Sequence, residues 1–159
     1  MIPARYQASR FPAKLMQDLG GKPVIVRTYE AALQTGLFNE VYVVTDSPVI
    51  AEVIQNIGGK VIMSKNTHES GSDRIAEAVE DMDVDIVVVH DGVRPFVSRR
   101  MIKESVDAAA EHGAAITAIP VSDTIKRVNL QGFVDHTIDR DRLWRVQTPQ
   151  AFRYSLLRQ

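Results

Sequence analysis

Cysteine is absent from the 159 residues, which removes disulfide staples and thiolate chemistry together and fits a reducing compartment. No apolar run approaches the roughly 18 residues needed to span a bilayer, and no signal-type hydrophobic region follows Met1. An excess of one charge is missing too. With 19 basic against 20 acidic residues the formal charge is −1, so no global field draws the chain to nucleic acid or to an anionic membrane. These absences lead us to expect a cytoplasmic protein with no nucleic-acid and no membrane partner. A polyanionic ligand must then be held by a local cluster of basic groups. Low-complexity stretches, solenoid-period repeats and long linkers are also lacking, so the chain reads as a single domain over residues 1–159.

What the chain has is alternation. Pro23 opens a helical pattern carried by Ile25, Tyr29, Ala32 and Leu33, and Gly36 stops it. The β-branched run Val41 to Thr45 follows. Ser47 then caps a second helix with Pro48 at its first position, and Gly58 ends it. Val61 to Met63 reads as a strand, and Ser72 as the cap of a helix bearing Ile75, Ala76, Val79 and Met82. Asp85 to His90 holds a continuous apolar run of the kind that parallel strands covered on both faces show. Ser98 caps the next helix, Gly113 closes it, and Ala114 to Val121 is a further strand. Strand and helix alternating at this spacing predict right-handed crossovers and a doubly wound, mostly parallel α/β sheet. After Pro120 the pattern changes to two short extended pieces, Thr124 to Val128 and Phe133 to Ile138, joined through Asn129 to Gly132. That is a hairpin signal, read either as a dimer arm or as a surface hairpin on a monomer.

Ligands of open parallel sheets bind at the carboxyl ends of the strands, so the informative residues are those just after each strand. Three places stand out. Pro3 to Lys14 sets Arg5, Arg10 and Lys14 among small and turn-forming residues, which gives dispersed charge and close backbone approach for a triphosphate. It matches neither the GxxxxGKS/T loop nor the GxGxxG fingerprint, and the plain alternative is a solvated basic loop. His68 to Arg74 places Ser70, Gly71, Ser72 and Asp73 at a helix N-terminus that favours an anion or a polar ring; the alternative is an ordinary cap with an acidic first turn. His90 to Pro95 puts a carboxylate at the end of a buried strand, which is costly unless it binds a metal or pairs with charge. Asp91 is placed to share Mg²⁺ with nucleotide phosphates, Arg94 to support it or contact phosphate. The alternative is a structural Asp91–Arg94 pair, with His90 as a neutral packing or orienting residue.

From Ile2 to roughly Asp85 the chain resembles 3-deoxy-manno-octulosonate cytidylyltransferase (CMP-KDO synthetase), a family of lipopolysaccharide biosynthesis. The matching pieces are Ile2-Pro3-Ala4-Arg5-Tyr6, Ser9-Arg10-Phe11-Pro12-Ala13-Lys14-Leu15, Gly20-Gly21-Lys22-Pro23, Thr45-Asp46 and Ser70-Gly71-Ser72-Asp73-Arg74. From about Val88 onward it resembles 2-C-methyl-D-erythritol 4-phosphate cytidylyltransferase of isoprenoid biosynthesis. There the matches are Val89 to Pro95, Pro120 to Arg127, Asp139-Arg140, Leu143-Trp144 and Gln147 to Phe152. The seam between about Asp83 and His90 is what a chimeric, recombined or designed chain would show. Both families begin with more apolar residues and continue beyond Gln159, so the resemblance also implies a chain short at both ends.

Both families imply one fold, a Rossmann-like sheet of the nucleotide-diphospho-sugar transferase type with a protruding hairpin arm at about 121–148. They also imply one reaction: CTP and a small anionic acceptor give a cytidylyl-acceptor and pyrophosphate, with Mg²⁺ as cofactor. By resemblance, Ala4, Arg5, Ser9, Ser70, Gly71, Ser72 and Asp73 bind the nucleotide. Arg10, Lys14 and Arg94 are the catalytic cations, and Asp91 binds the metal. Thr124, Arg140 and Thr148 hold the acceptor's phosphate, some reaching over from a homodimer partner's arm, which favours methylerythritol phosphate. An octulosonate sugar acid is the alternative acceptor, and a nucleotide-binding domain without catalysis is the alternative of a different class.

Overall fold

The computed structural model describes residues 1–6, 13–65 and 71–157, with residues 71 and 72 described by their backbone alone. Three parallel strands, β1 (Ile2–Ala4), β2 (Tyr42–Thr45) and β3 (Lys60–Met63), form one sheet in the order β1-β2-β3. β4 (Ile86–Val89), β5 (Ala114–Pro120) and β8 (Trp144–Arg153) form another, in which β8 lies between the other two and runs antiparallel to both. The two sheets meet at Met1. Its nitrogen donates to the Val88 carbonyl (2.8 Å), and the His90 N–H donates to the Met1 carbonyl (3.0 Å). This is the bonding of a parallel pair, so the strands run β3-β2-β1-β4-β8-β5 with β8 alone reversed. The expected mostly parallel α/β sheet is therefore observed.

Helices form where capping and apolar spacing ask for them. α1 (Val24–Gln34) begins after Pro23 and buries Ile25, Val26, Thr28, Tyr29 and Ala32. α2 (Pro48–Asn56) has Pro48 at its first turn, and the Ser47 hydroxyl accepts from the Ile50 N–H (3.4 Å). α4 (Arg99–His112) is capped by Ser98, which accepts from the Met101 N–H (3.2 Å), and ends at Gly113 with φ 94°. Ile2, Ile25, Val43, Ile50 and Ile54 make up much of the core between the β1–β3 sheet and helices α1 and α2. Each is almost completely buried, which is worth about 1.5–3 kcal/mol per side chain before the entropy cost of ordering it.

One expectation needs correction. α3 (Gly71–Val79) starts at Gly71, so Ser72 lies inside the helix and is not its cap, and Met82 lies beyond its end. β4 is parallel on its β1 side only; its other flank takes the antiparallel β8. β8 itself carried no strand expectation, because its sequence mixes charged, amide and proline residues and its burial sets in only toward Pro149 and Ala151. β1 is three residues long and is bonded on both sides.

The hairpin is present. β6 (Ile125–Val128) and β7 (Val134–Ile138) pair antiparallel as a separate two-stranded sheet. The Asn129 carboxamide oxygen accepts from the N–H groups of Gln131 (3.1 Å) and Phe133 (3.0 Å), which closes the turn. β5 leads into this hairpin, and β8 returns from it to lie between β4 and β5.

Candidate functional site

Because β1, β2 and β4 run the same way, the residues that follow them emerge on one edge of the sheet. Arg5 follows β1, Asp46 follows β2, and His90-Asp91 follows β4. β3 leads to the N-terminus of α3 at that same edge. β1 connects onward to β2 on one side and touches β4 on the other, so the crevice between β1 and β4 is the point where the sheet order reverses. Ligands of such sheets bind there.

The Asp91 turn is the best-defined part of the edge. The Arg94 N–H donates to the Asp91 carbonyl (3.0 Å), and the buried His90 donates from Nε2 to the Arg94 carbonyl (2.9 Å). One carboxylate oxygen, Oδ1, accepts from the Val93 N–H (3.1 Å); the other, Oδ2, lies 3.7 Å from Arg94 Nε. Both side chains of that pair are 43% exposed, so the contact is a loose surface pair worth little by itself. That ion pair aside, Oδ2 has no hydrogen-bond partner among the described residues. A single carboxylate with one oxygen not hydrogen-bonded suits Mg²⁺, which binds through one or two carboxylates, water and substrate phosphates. No cluster of three or more acidic, His or Cys ligands occurs among the described residues. Burial holds the His90 imidazole below its ordinary value, which keeps it neutral as a packing and orienting group.

Thr148 joins this turn: its hydroxyl accepts from the Asp91 N–H (3.1 Å). A residue expected at the acceptor phosphate thus sits against the expected metal ligand. Thr124 and Arg140 lie elsewhere, on the arm. Arg140 is exposed there, and its Nη1 donates to the Ser122 carbonyl. Lys14 is exposed in a short 3₁₀ turn (Lys14–Met16) whose Leu15 is buried in the core, which fixes where the lysine stem begins. The Ala13 N–H donates to the Tyr6 carbonyl (3.1 Å). Ser9, Arg10 and Ser70 lie outside the described residues. Ala4 is buried at the end of β1, opposite Thr45, and Arg5 is half-buried beside it. Gly71, Ser72 and Asp73 form the first turn of α3, where backbone N–H groups face the crevice edge.

Two residues matter that carried no role in the sequence reading. Arg74 is 1% exposed, and its Nη2 donates to Asp46 Oδ2 (2.8 Å). The Arg74 guanidinium, with a smaller contribution from Arg5, holds the Asp46 carboxyl below the usual carboxylate range. The pair ties the end of β2 to the first turns of α3. The Asp46–Arg74 match was visible as motif, but nothing in the spacing showed that the arginine is swallowed whole.

The model of the 2-C-methyl-D-erythritol 4-phosphate cytidylyltransferase family (IspD) matches residues 2–159. A 3-deoxy-manno-octulosonate cytidylyltransferase of Christiangramia forsetii is 61% identical over 114 residues, covering 72% of this chain and 46% of that protein. A 2-C-methyl-D-erythritol 4-phosphate cytidylyltransferase of Bacillus pumilus is 57% identical over 77 residues, covering 48% of this chain and 33% of that protein. The chain spans less than half the length of these two curated relatives. Among solved structures, CMP:2-keto-3-deoxy-manno-octonic acid synthetase complexed with CTP superposes with a TM-score of 0.76 at 30% identity, covering 98% of this chain and 73% of the other.

Proposed function

Since the chain belongs to the 2-C-methyl-D-erythritol 4-phosphate cytidylyltransferase family, we propose that it transfers the cytidylyl group of CTP to a small anionic acceptor, with methylerythritol phosphate as that acceptor. The observation that carries the reading is the Asp91 turn at the sheet's reversal point, with one carboxylate oxygen hydrogen-bonded, the other only loosely paired with Arg94, and Thr148 bonded to its backbone. An acceptor oxygen attacks the α-phosphorus of CTP, and pyrophosphate leaves. Bound Mg²⁺ supplies charge neutralisation at the phosphates. Asp91 holds that ion, Lys14, Arg10 and Arg94 stabilise charge that builds on the phosphate oxygens, and Arg5 with the first turn of α3 seats the nucleotide.

Acceptor binding falls to Thr124, Arg140 and Thr148, with the arm shared in a homodimer. Support for the sharing comes from the arm's own surface. A lone two-stranded hairpin is marginal in water, yet this one exposes Leu130 fully, Phe133 at 71% and Val134 at 61%, and Trp144, paired with Pro120 at the arm's base, is 57% exposed. A specific observation favours a second acceptor: the octulosonate-named relative is the more identical of the two, and over a longer stretch.

The test is pyrophosphate release from CTP and Mg²⁺, run in parallel with methylerythritol phosphate and with the octulosonate sugar acid. Release with the former alone is expected. Release with the sugar acid alone moves the assignment to the alternative. Release with neither, together with a CTP-dependent rise in melting temperature, leaves a nucleotide-binding domain without catalysis.

A further inference from the structure

Thr28 sits in the middle of α1, where a β-branched residue has no helix-forming merit, and it is completely buried. Its hydroxyl lies 2.7 Å from the carbonyl oxygen of Gly92 and 3.1 Å from that of Val24. One proton serves both, and the shorter, long-range contact is the stronger bond. The peptide unit it grips has a second end. The carbonyl belongs to Gly92 and the N–H of the same plane to Val93, and that N–H donates to Asp91 Oδ1 (3.1 Å). A planar peptide cannot rotate at one end alone. The bonds therefore run as one chain, from the Thr28 hydroxyl through the 92–93 peptide to the Asp91 carboxylate, each polarising the next.

Packing holds the same peptide from below. A Cβ built on Gly92 would lie 3.0 Å from Ile25 Cδ1 and 3.0 Å from Leu15 Cδ2, so the turn rests directly on α1 and on the residue after Lys14. On its other side Thr148 takes the Asp91 N–H. With Oδ1 hydrogen-bonded and Oδ2 held only by the loose Arg94 contact, the direction of the carboxylate is set chiefly through Oδ1.

We infer that Thr28 is a positioning residue: through the Gly92–Val93 peptide it sets the aim of the Asp91 carboxylate toward the metal and phosphates. The role rests on the function proposed above. It is tested in the full chain with Thr28→Val, which keeps shape and loses the hydroxyl, and Thr28→Ser, which keeps the hydroxyl. Thr28→Ala repeats the comparison if valine is not accommodated.

Two readouts separate the inference from its premise. Amide hydrogen exchange at Val93, measured without ligand, should speed up in Thr28→Val and stay close to the unaltered rate in Thr28→Ser. Mn²⁺ binding in the presence of CTP, followed by electron paramagnetic resonance, should weaken about 10- to 100-fold in Thr28→Val, the usual scale for losing a residue that orients a metal ligand, and recover in Thr28→Ser. In turnover the loss should fall on kcat rather than on the KM for acceptor. Unchanged Val93 exchange in Thr28→Val overturns the inference, as does equal loss of Mn²⁺ binding in the valine and serine variants. Absence of CTP-dependent Mn²⁺ binding in the unaltered chain overturns the proposed function and the role that depends on it; Val93 exchange still decides the hydrogen-bond chain.

Discussion

The Asp91 turn and the hairpin arm carry the two halves of the proposed chemistry, and they are built in opposite ways. The turn is braced from every side within one chain: Thr28 below, Thr148 beside it, His90 closing the loop, and Leu15 and Ile25 beneath Gly92. The arm carries Thr124 and Arg140 just outside the ladder of a two-stranded hairpin with exposed faces, which is held by its own ladder and turn. Electrostatic catalysis gains most from groups already in place before substrate arrives. The turn meets that condition by itself. The arm leaves Arg140 exposed, with a hydrogen bond to the Ser122 carbonyl of the arm itself, so acceptor binding should be the adjustable half.

The comparison is broken most severely by removing the charge the turn presents. Asp91→Asn should abolish magnesium-dependent pyrophosphate release while the melting temperature stays within a few degrees; a lower melting temperature with activity retained would make the Asp91–Arg94 contact structural. Lys14→Ala, next to a fixed Leu15, should lower kcat by about two orders of magnitude, the scale of losing one such stabilising group. Unchanged turnover would remove Lys14 from the reaction. On the arm, Arg140→Ala should raise the KM for acceptor about tenfold, as expected for one charge-assisted hydrogen bond, and leave kcat and CTP binding nearly intact. A fall in kcat of the same size would place Arg140 at the reacting phosphate.

The smallest effect sharpens the turn's side of the contrast. Burial favours neutral His90 in the folded chain, so its folded pKa lies below the ordinary 6.5. Above about 6.5 both folded and unfolded forms are neutral there, and no cost arises. As the pH falls through 6.5 toward the lower folded value, the unfolded chain takes up the proton first, and stability is lost. Thermal melts of the unaltered chain from pH 7.5 to 5 should slope downward more steeply than those of His90→Gln. Parallel slopes would assign the acid sensitivity elsewhere.

Much of this was legible beforehand because local chemistry and tertiary structure agreed. Ser47-Pro48 and Ser98 cap the helices they announce, Asn129 closes its turn, and apolar runs at β2 and β4 become buried strands. Asp91, placed by the end of such a run, lies where that position implied. β8 was not legible, since its burial comes from insertion between β4 and β5 rather than from its own pattern. Nor was the α3 start, which falls at Gly71 although Ser72 has the side chain of a cap.

The sequence by itself determined the alternation of elements, the capping, and which carboxylate ends a buried strand, because each follows from residues a few positions apart. Tertiary structure alone decided that Thr28 grips the peptide behind Asp91 across 64 positions, that Thr148 meets the Asp91 amide across 57, and that Arg74 is buried against Asp46. A hydroxyl in mid-helix or an arginine after a turn looks the same whether it faces water or a buried carbonyl. Only the packing of distant segments fixes which, since hydrogen bonds act over about 3 Å and carry no mark in the chain.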